Sequence, residues 1–208
     1  MTRVKVCGIT TGEDLDTVVE AGVDAIGLIA DVGVDTPREI DTETAVDLAR
    51  STPPFVTTVL VTMPDDPEAT VDLVDRVQPD VIQVHGNSTP GDLAYLSAQI
   101  SADVIKAIGP TEAAAYEAVA DALLIDSVDE SGAGGTGETH DWEQTRSVVE
   151  ALSTPVVLAG GLTPENVADA IAVVDPFAVD VASGVERDPG RKDPDAVAAF
   201  LEAAGRGL

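Results

Sequence analysis

The sequence predicts an α/β fold of the (β/α)8-barrel, or TIM-barrel, type, and three observations carry that prediction. Eight times a short run of β-branched and apolar residues is followed by a stretch with helical periodicity. The runs are apolar on both faces, as parallel strands covered by helices require. Most residues with reactive or hydrogen-bonding side chains fall just after the runs, where a barrel gathers its functional groups.

The first run, Val4–Cys7, leads to Thr11-Gly12-Glu13-Asp14, a helix-start signal, and then to Leu15, Val18 and Val19 at helical spacing. The second, Ala25–Ile29, is followed by the capping sequence Asp41-Thr42-Glu43. After the third, Phe55–Val61, Pro67-Glu68 opens a helix carrying Val71 and Val74. Val81–Val84, Val104–Ile108 and Ala122–Ile125 are the fourth, fifth and sixth runs. The seventh, Pro155–Ala159, precedes Thr163-Pro164-Glu165-Asn166 and the apolar stripe Val167, Ala170, Ile171 and Val174. The eighth is Ala178–Ala182, and Asp193-Pro194-Asp195 starts the last helix. Strict alternation implies a parallel sheet, closed or open and doubly wound; eight strands favour closure. Nothing interrupts the pattern, so residues 1–208 are expected to form a single barrel domain.

At 208 residues and 44% hydrophobic, the chain is large enough for a substantial core. No apolar run reaches the ~18 residues needed to cross a membrane. Met1-Thr2-Arg3 runs straight into a strand with no signal-peptide pattern, so a cytoplasmic location is expected. One cysteine allows no internal disulfide. The formal charge is −27, with 38 acidic residues dispersed along the chain and lysine only at Lys5, Lys106 and Lys192. Such a surface disfavours nucleic acid and anionic membranes as partners. Its self-repulsion is relieved by salt, whose screening length is about 3 Å at 1 M. A salt-rich cytoplasm fits this pattern; an acidic protein of ordinary habitat is the alternative.

The strand ends select the candidate site. Cys7 closes the first run, Gln83 and His85 end the fourth, Asp126 the sixth, Gly160-Gly161 the seventh and Ser183-Gly184 the eighth; Arg38 lies in the long loop after the second. Singly, a cysteine there reads as a small buried hydrophobe, His85 as a structural or rim histidine, and His140 before Asp141-Trp142 as a cap-region residue, with Trp142 packing. Asp126 is more demanding, because a carboxylate after Leu123-Leu124-Ile125 must be paired, solvated or shifted in pKa. Arg38, one of eleven cations in an acidic chain, is suited to holding an anion. The glycines Gly134-Gly135-Thr136-Gly137, Gly160-Gly161 and Gly184 occupy three successive loops. Each alone makes a turn; together they present backbone N–H groups to a phosphate.

These residues resemble a known family. Val4-Lys5-Val6-Cys7-Gly8-Ile9-Thr10, Val81-Ile82-Gln83-Val84-His85-Gly86, Leu124-Ile125-Asp126-Ser127, Gly134-Gly135-Thr136-Gly137, Leu158-Ala159-Gly160-Gly161-Leu162 and Val179-Asp180-Val181-Ala182-Ser183-Gly184-Val185-Glu186 are similar, in order, to segments of the phosphoribosylanthranilate isomerases of tryptophan biosynthesis. The resemblance extends through Gly190-Arg191-Lys192-Asp193. It implies a barrel enzyme that performs an Amadori rearrangement without metal or organic cofactor, as monomer or homodimer, on a small phosphoribosyl substrate.

By that resemblance Asp126 is the general acid that protonates the ring oxygen, which requires its pKa to rise from ~3.9. Cys7 is the general base, its thiolate to be favoured by a cation; Lys5, two residues earlier on the same strand face, is the candidate. Arg38 would receive the anthranilate carboxylate. Gly135, Gly137, Gly160, Gly161, Ser183 and Gly184 would take the phosphate, with Gln83 and His85 lining the pocket. Asp180 matches a family position without a role assigned. The chain departs from the family at Gly27-Leu28-Ile29-Ala30, where an aromatic residue is usual, and in the acidic loop Asp31–Asp35, which opposes an anionic substrate unless screened. Two other readings stay open: the related isomerase of histidine biosynthesis or a dual-substrate version, in which paired aspartates are expected at the ends of the first and sixth strands, the first of which here carries Cys7, and a non-catalytic sugar-phosphate binding protein.

Overall fold

Valine, isoleucine, leucine and threonine dominate β1 (Arg3–Cys7), β2 (Ala25–Ile29), β3 (Thr57–Thr62), β4 (Val81–Val84), β5 (Asp103–Ile108), β6 (Ala122–Ile125), β7 (Val156–Leu158) and β8 (Ala178–Val181). In this computed structural model, which describes residues 1–64, 66–126 and 142–206, the eight strands pair in parallel and in chain order. β8 pairs back onto β1 through Arg3↔Ala178 to Val6↔Val181, which closes the barrel. The helices between them are α1 (Gly12–Glu20), α2 (Thr42–Ser51), α3 (Pro67–Val77), α4 (Pro90–Gln99), α5 (Ala113–Tyr116), α6 (Trp142–Ala151), α7 (Val167–Val174) and α8 (Pro194–Leu201).

Capping follows the polar signals. Thr11, Asp41, Asp66, Thr89 and Asp193 each accept a backbone N–H in the first turn of their helices, contributing ~1 kcal/mol apiece. Asn166 precedes α7 without capping it. Its Oδ1 accepts from the Thr163 N–H at 2.8 Å and its Nδ2 donates to the Gly161 carbonyl at 2.9 Å, so the amide pins the loop after β7 instead.

Alternate residues of each strand face outward against the helices. Val4, Val6, Ile26, Leu28, Val179 and Val181 are buried in one cluster with Leu15, Val18, Val167 and Phe200. The other set, including Lys5 and Cys7 on β1, faces into the barrel. At the opposite end from the site a repeated device holds strands in pairs. Asp24, Asp80 and Asp121, just before β2, β4 and β6, accept the backbone N–H groups of Val4, Thr58 and Val104, each at 2.8 Å.

Two features lie outside the sequence expectation. β3 begins at Thr57 and not at Phe55, because Phe55 takes a left-handed φ of 74° and is fully exposed. After β8 the chain also forms an antiparallel hairpin, β9 (Glu186–Asp188) and β10 (Arg191–Lys192), where alternating βα units predict only a loop. Its tip needs glycine: at Gly190 φ is +77° and an added Cβ would lie 2.5 Å from the Pro37 carbonyl oxygen. The three lysines of the chain are all interior, Lys5 at 4%, Lys106 at 1% and Lys192 at 1% exposure.

Candidate active site

The C-terminal ends of the strands converge on a cavity of about 150 Å³ lined by Cys7, Arg38, Gln83, His85, Asp126 and Asp180, with apolar walls that include Ile29, Val61 and Leu124. Five of the residues singled out in the sequence therefore share one site. Gly27, beside Cys7 in the β1–β2 pairing, provides room for the thiol: a Cβ there would meet Cys7 Sγ at 2.6 Å.

Lys5 shares the inward face of β1 with Cys7 and forms an ion pair with Asp180, Nζ to Oδ2 at 2.9 Å. Its influence on Cys7 is correspondingly limited. Burial pushes the Cys7 thiol up; Lys5 pulls it down, Asp180 pushes it up again, and the result lies above the ordinary value. As the candidate cation for favouring the thiolate, Lys5 thus meets an opposing, larger desolvation effect. Asp180 Oδ1 is buried without a hydrogen-bond partner, which leaves one acceptor of this carboxylate available inside the cavity.

Arg38 is built into the site from three sides. Gly8, at φ +75°, lacks the Cβ that would approach Arg38 Cδ to 2.8 Å, and Gly190 lets the hairpin tip close on Pro37. Glu186 on β9 then takes the guanidinium in a fork, Nε and Nη2 each at 2.8 Å. Glu186 also accepts from Lys192 Nζ at 3.0 Å and from the Gly190 N–H at 3.2 Å. Burial pushes its carboxyl up, but Arg38 and Lys192 outweigh it and hold the group below its usual range. Lys192 Nζ further donates to the Ala182 carbonyl at 3.1 Å.

Gln83 on β4 and His85 just past its end approach each other, Nε2 to Nε2 at 2.6 Å. Burial, with Lys5 and Lys106 adding repulsion, lowers His85 to about 3, so the ring is neutral at physiological pH and the Gln83 amide donates to it. Gln83 Oε1 is buried and unpartnered, a second acceptor inside the barrel. Asp126 is 7% exposed, its backbone N–H bonded to the Ile108 carbonyl at 3.3 Å.

The glycine loops after β7 and β8 abut. Gly160 and Gly161 have φ of 87° and 62°, and a Cβ on Gly184 would collide with the Leu162 carbonyl. Ser183 is exposed at the start of a short 3₁₀ turn, Ser183–Val185. Gly135 and Gly137, with His140 and Asp141, lie outside the described residues. In the loop after β2, Val32, Val34 and Thr36 line the cavity while Asp31 and Asp35 are exposed. The acids alternate outward, so the conflict with an anionic substrate that composition alone implies is largely avoided.

Periodicity and strand ends point to neither Glu186 nor Lys192, although both fall in the segments that carry the resemblance. The available signal was scarcity: in a chain with three lysines, each surviving one invites a structural reason. Among the described residues no group of three His, Cys, Asp or Glu is placed to hold a metal ion, and no helix is long and apolar enough to cross a membrane.

A closed eight-stranded βα barrel that gathers a cysteine, an aspartate and a forked arginine at the C-terminal ends of its strands has the architecture of a barrel enzyme, with its site where such enzymes place theirs. Residues 4–203 match the family model of N-(5′-phosphoribosyl)anthranilate isomerase, and the chain belongs to that family. It is 65% identical over 205 residues to the N-(5′-phosphoribosyl)anthranilate isomerase of Natronomonas pharaonis, with 99% of each chain covered. To that of Halobacterium salinarum it is 60% identical, covering 98% of this chain and 96% of the relative. Among solved structures, phosphoribosylanthranilate isomerase from Thermotoga maritima superposes with a TM-score of 0.87 at 37% identity, covering 99% of both chains. One in complex with reduced 1-(o-carboxyphenylamino)-1-deoxyribulose 5-phosphate gives 0.85 at 36%, again covering 99% of both.

Proposed function

We propose that the chain, as a single barrel domain over residues 1–208, converts N-(5-phosphoribosyl)anthranilate into 1-(o-carboxyphenylamino)-1-deoxyribulose 5-phosphate in the cytoplasmic pathway to tryptophan. The observation that carries this reading is the meeting of Cys7, Asp126 and Arg38 in one cavity in a member of this family.

In the first step the anthranilate nitrogen lone pair forms a C1′=N bond as the C1′–ring oxygen bond breaks, and Asp126 protonates the departing oxygen. In the second, Cys7 removes the C2′ proton; the C2′–H electrons become the C1′=C2′ bond of an enolamine, and the iminium is neutralised. Tautomerisation gives the ketone. A raised thiol pKa is compatible with this role, because the iminium formed in the first step is itself a cation beside Cys7 and favours the thiolate when it is needed. Asp180 Oδ1 and Gln83 Oε1, the two unpartnered acceptors, suit the sugar hydroxyls. Arg38 takes the ring carboxylate on the guanidinium edge not held by Glu186. The loops at Gly135, Gly137, Gly160, Gly161, Ser183 and Gly184 take the phosphate, and no metal or cofactor enters.

Of the two oligomeric states expected, a homodimer is favoured by the exposed Phe55 and Phe177 at the N-terminal end of the barrel, two of only three phenylalanines in the chain. A Thermotoga maritima relative is described as dimeric.

Fluorescence-monitored turnover of freshly made phosphoribosylanthranilate in molar salt tests the activity. Conversion supports the isomerase; a folded, inactive protein that still binds sugar phosphates supports the binding-protein reading. Turnover of the histidine-pathway aminoaldose supports a dual-substrate enzyme.

A further inference from the structure

Arg38, the residue proposed to receive the substrate carboxylate, is already forked on a carboxylate of its own. An isolated Arg38–Glu186 pair carries no net charge, and a neutral pair attracts an incoming anion poorly. Lys192 alters that balance. Its Nζ sits 3.0 Å from Glu186 Oε1, it is 1% exposed, and it is one of three lysines in a chain of net charge −27. Such a cation is costly to bury: desolvation lowers its pKa despite Glu186 beside it. The hairpin that carries Lys192 is itself held by Asp14, whose Oδ1 accepts the Lys192 backbone N–H at 3.1 Å, and by the Thr10 hydroxyl, which donates to the Gly190 carbonyl at 2.7 Å.

We propose that Lys192 is a positioning residue that sets substrate specificity: by offsetting Glu186 it leaves the Arg38–Glu186–Lys192 triad with one net positive charge, which selects a substrate whose aromatic ring bears a carboxylate. Glu186 fixes where the guanidinium lies, and Lys192 restores the charge that this fixation removes. The inference rests on the reading of Arg38 as the carboxylate site.

The test is a charge ladder read by the binding of two ligands to the whole protein in a fixed salt concentration. One ligand is reduced 1-(o-carboxyphenylamino)-1-deoxyribulose 5-phosphate and the other the same compound without the ring carboxyl. Lys192→Met takes the triad to zero, wild type and the double variant Lys192→Met/Glu186→Gln stand at plus one, and Glu186→Gln stands at plus two. Preference for the carboxylate ligand should fall on the order of tenfold in Lys192→Met, return in the double variant and rise in Glu186→Gln. In turnover the single lysine variant should raise KM more than it lowers kcat. A purely structural lysine predicts no return in the double variant. Unchanged preference in folded Lys192→Met, or in Glu186→Gln should Lys192→Met not fold, overturns the proposal. Unchanged preference in Arg38→Met overturns instead the reading of Arg38 on which it rests.

Discussion

Lys5 and Asp180 form a buried ion pair, Nζ to Oδ2 at 2.9 Å, inside the barrel against the thiol of Cys7. The two act on that thiol in opposite directions, Lys5 lowering its pKa and Asp180 raising it. Asp180→Asn should therefore lower the Cys7 pKa, and iodoacetamide should alkylate the variant faster than wild type at neutral pH. It also leaves a buried ammonium without its counter-charge, a loss of about 3–5 kcal/mol. Alkylation rate against pH, with denaturant unfolding of the same samples, checks both; slower alkylation at every pH would contradict the electrostatic account.

Much of this site is legible in sequence because strand ends are. Cys7, Gln83, His85 and Asp126 could be picked out since a parallel barrel presents the carboxyl ends of its strands on one face, and the structure gathers all four. What periodicity does not carry is side-chain pairing between residues distant in sequence. The Arg38–Glu186 fork spans 148 residues and the Lys5–Asp180 pair spans 175. The spacing puts Lys5 on the same face of β1 as Cys7, but nothing local to Val4-Lys5-Val6-Cys7 reveals that a carboxylate from β8 competes for its charge. The β9–β10 hairpin escaped for a related reason. Arg187-Asp188-Pro189-Gly190 looks like any polar loop until Gly190 is seen packed on Pro37.

Lys106 gives a prediction about stability. It is buried on β5 with its ammonium donating to the Gly86 carbonyl at 2.6 Å, and burial lowers its pKa from 10.5 to about 8. A base whose folded pKa is below its unfolded value binds fewer protons when folded, so its contribution to stability rises with pH through the window from about 8 to 10.5. Below that window the folded state bears the full cost of the buried charge. Lys106→Met removes this dependence. The stability of wild type relative to the variant should therefore increase between pH 8 and pH 10.5 in urea titrations; a constant or shrinking difference would contradict it.

The charge of −27 predicts a salt requirement. Exposed carboxylates repel within a Debye length of ~10 Å at 0.1 M salt and barely at molar salt. The midpoint of thermal unfolding should climb steeply over the first few tenths molar of potassium chloride and then flatten. The buried Lys5–Asp180 and Lys192–Glu186 pairs are screened far less, so the steep phase belongs to the surface. A midpoint insensitive to salt would show that the surface repulsion is not limiting.

In the proposed reaction Cys7 and Asp126 divide the proton transfers of one rearrangement between them. This division is tested most directly by turnover of phosphoribosylanthranilate in molar salt with Cys7→Ala and Asp126→Asn, alongside binding of the reduced product analogue to each. Both variants should bind the analogue and unfold cooperatively, while each loses ~10²–10⁴-fold or more in kcat. Near wild-type turnover in either variant would contradict this division and take that residue out of the reaction.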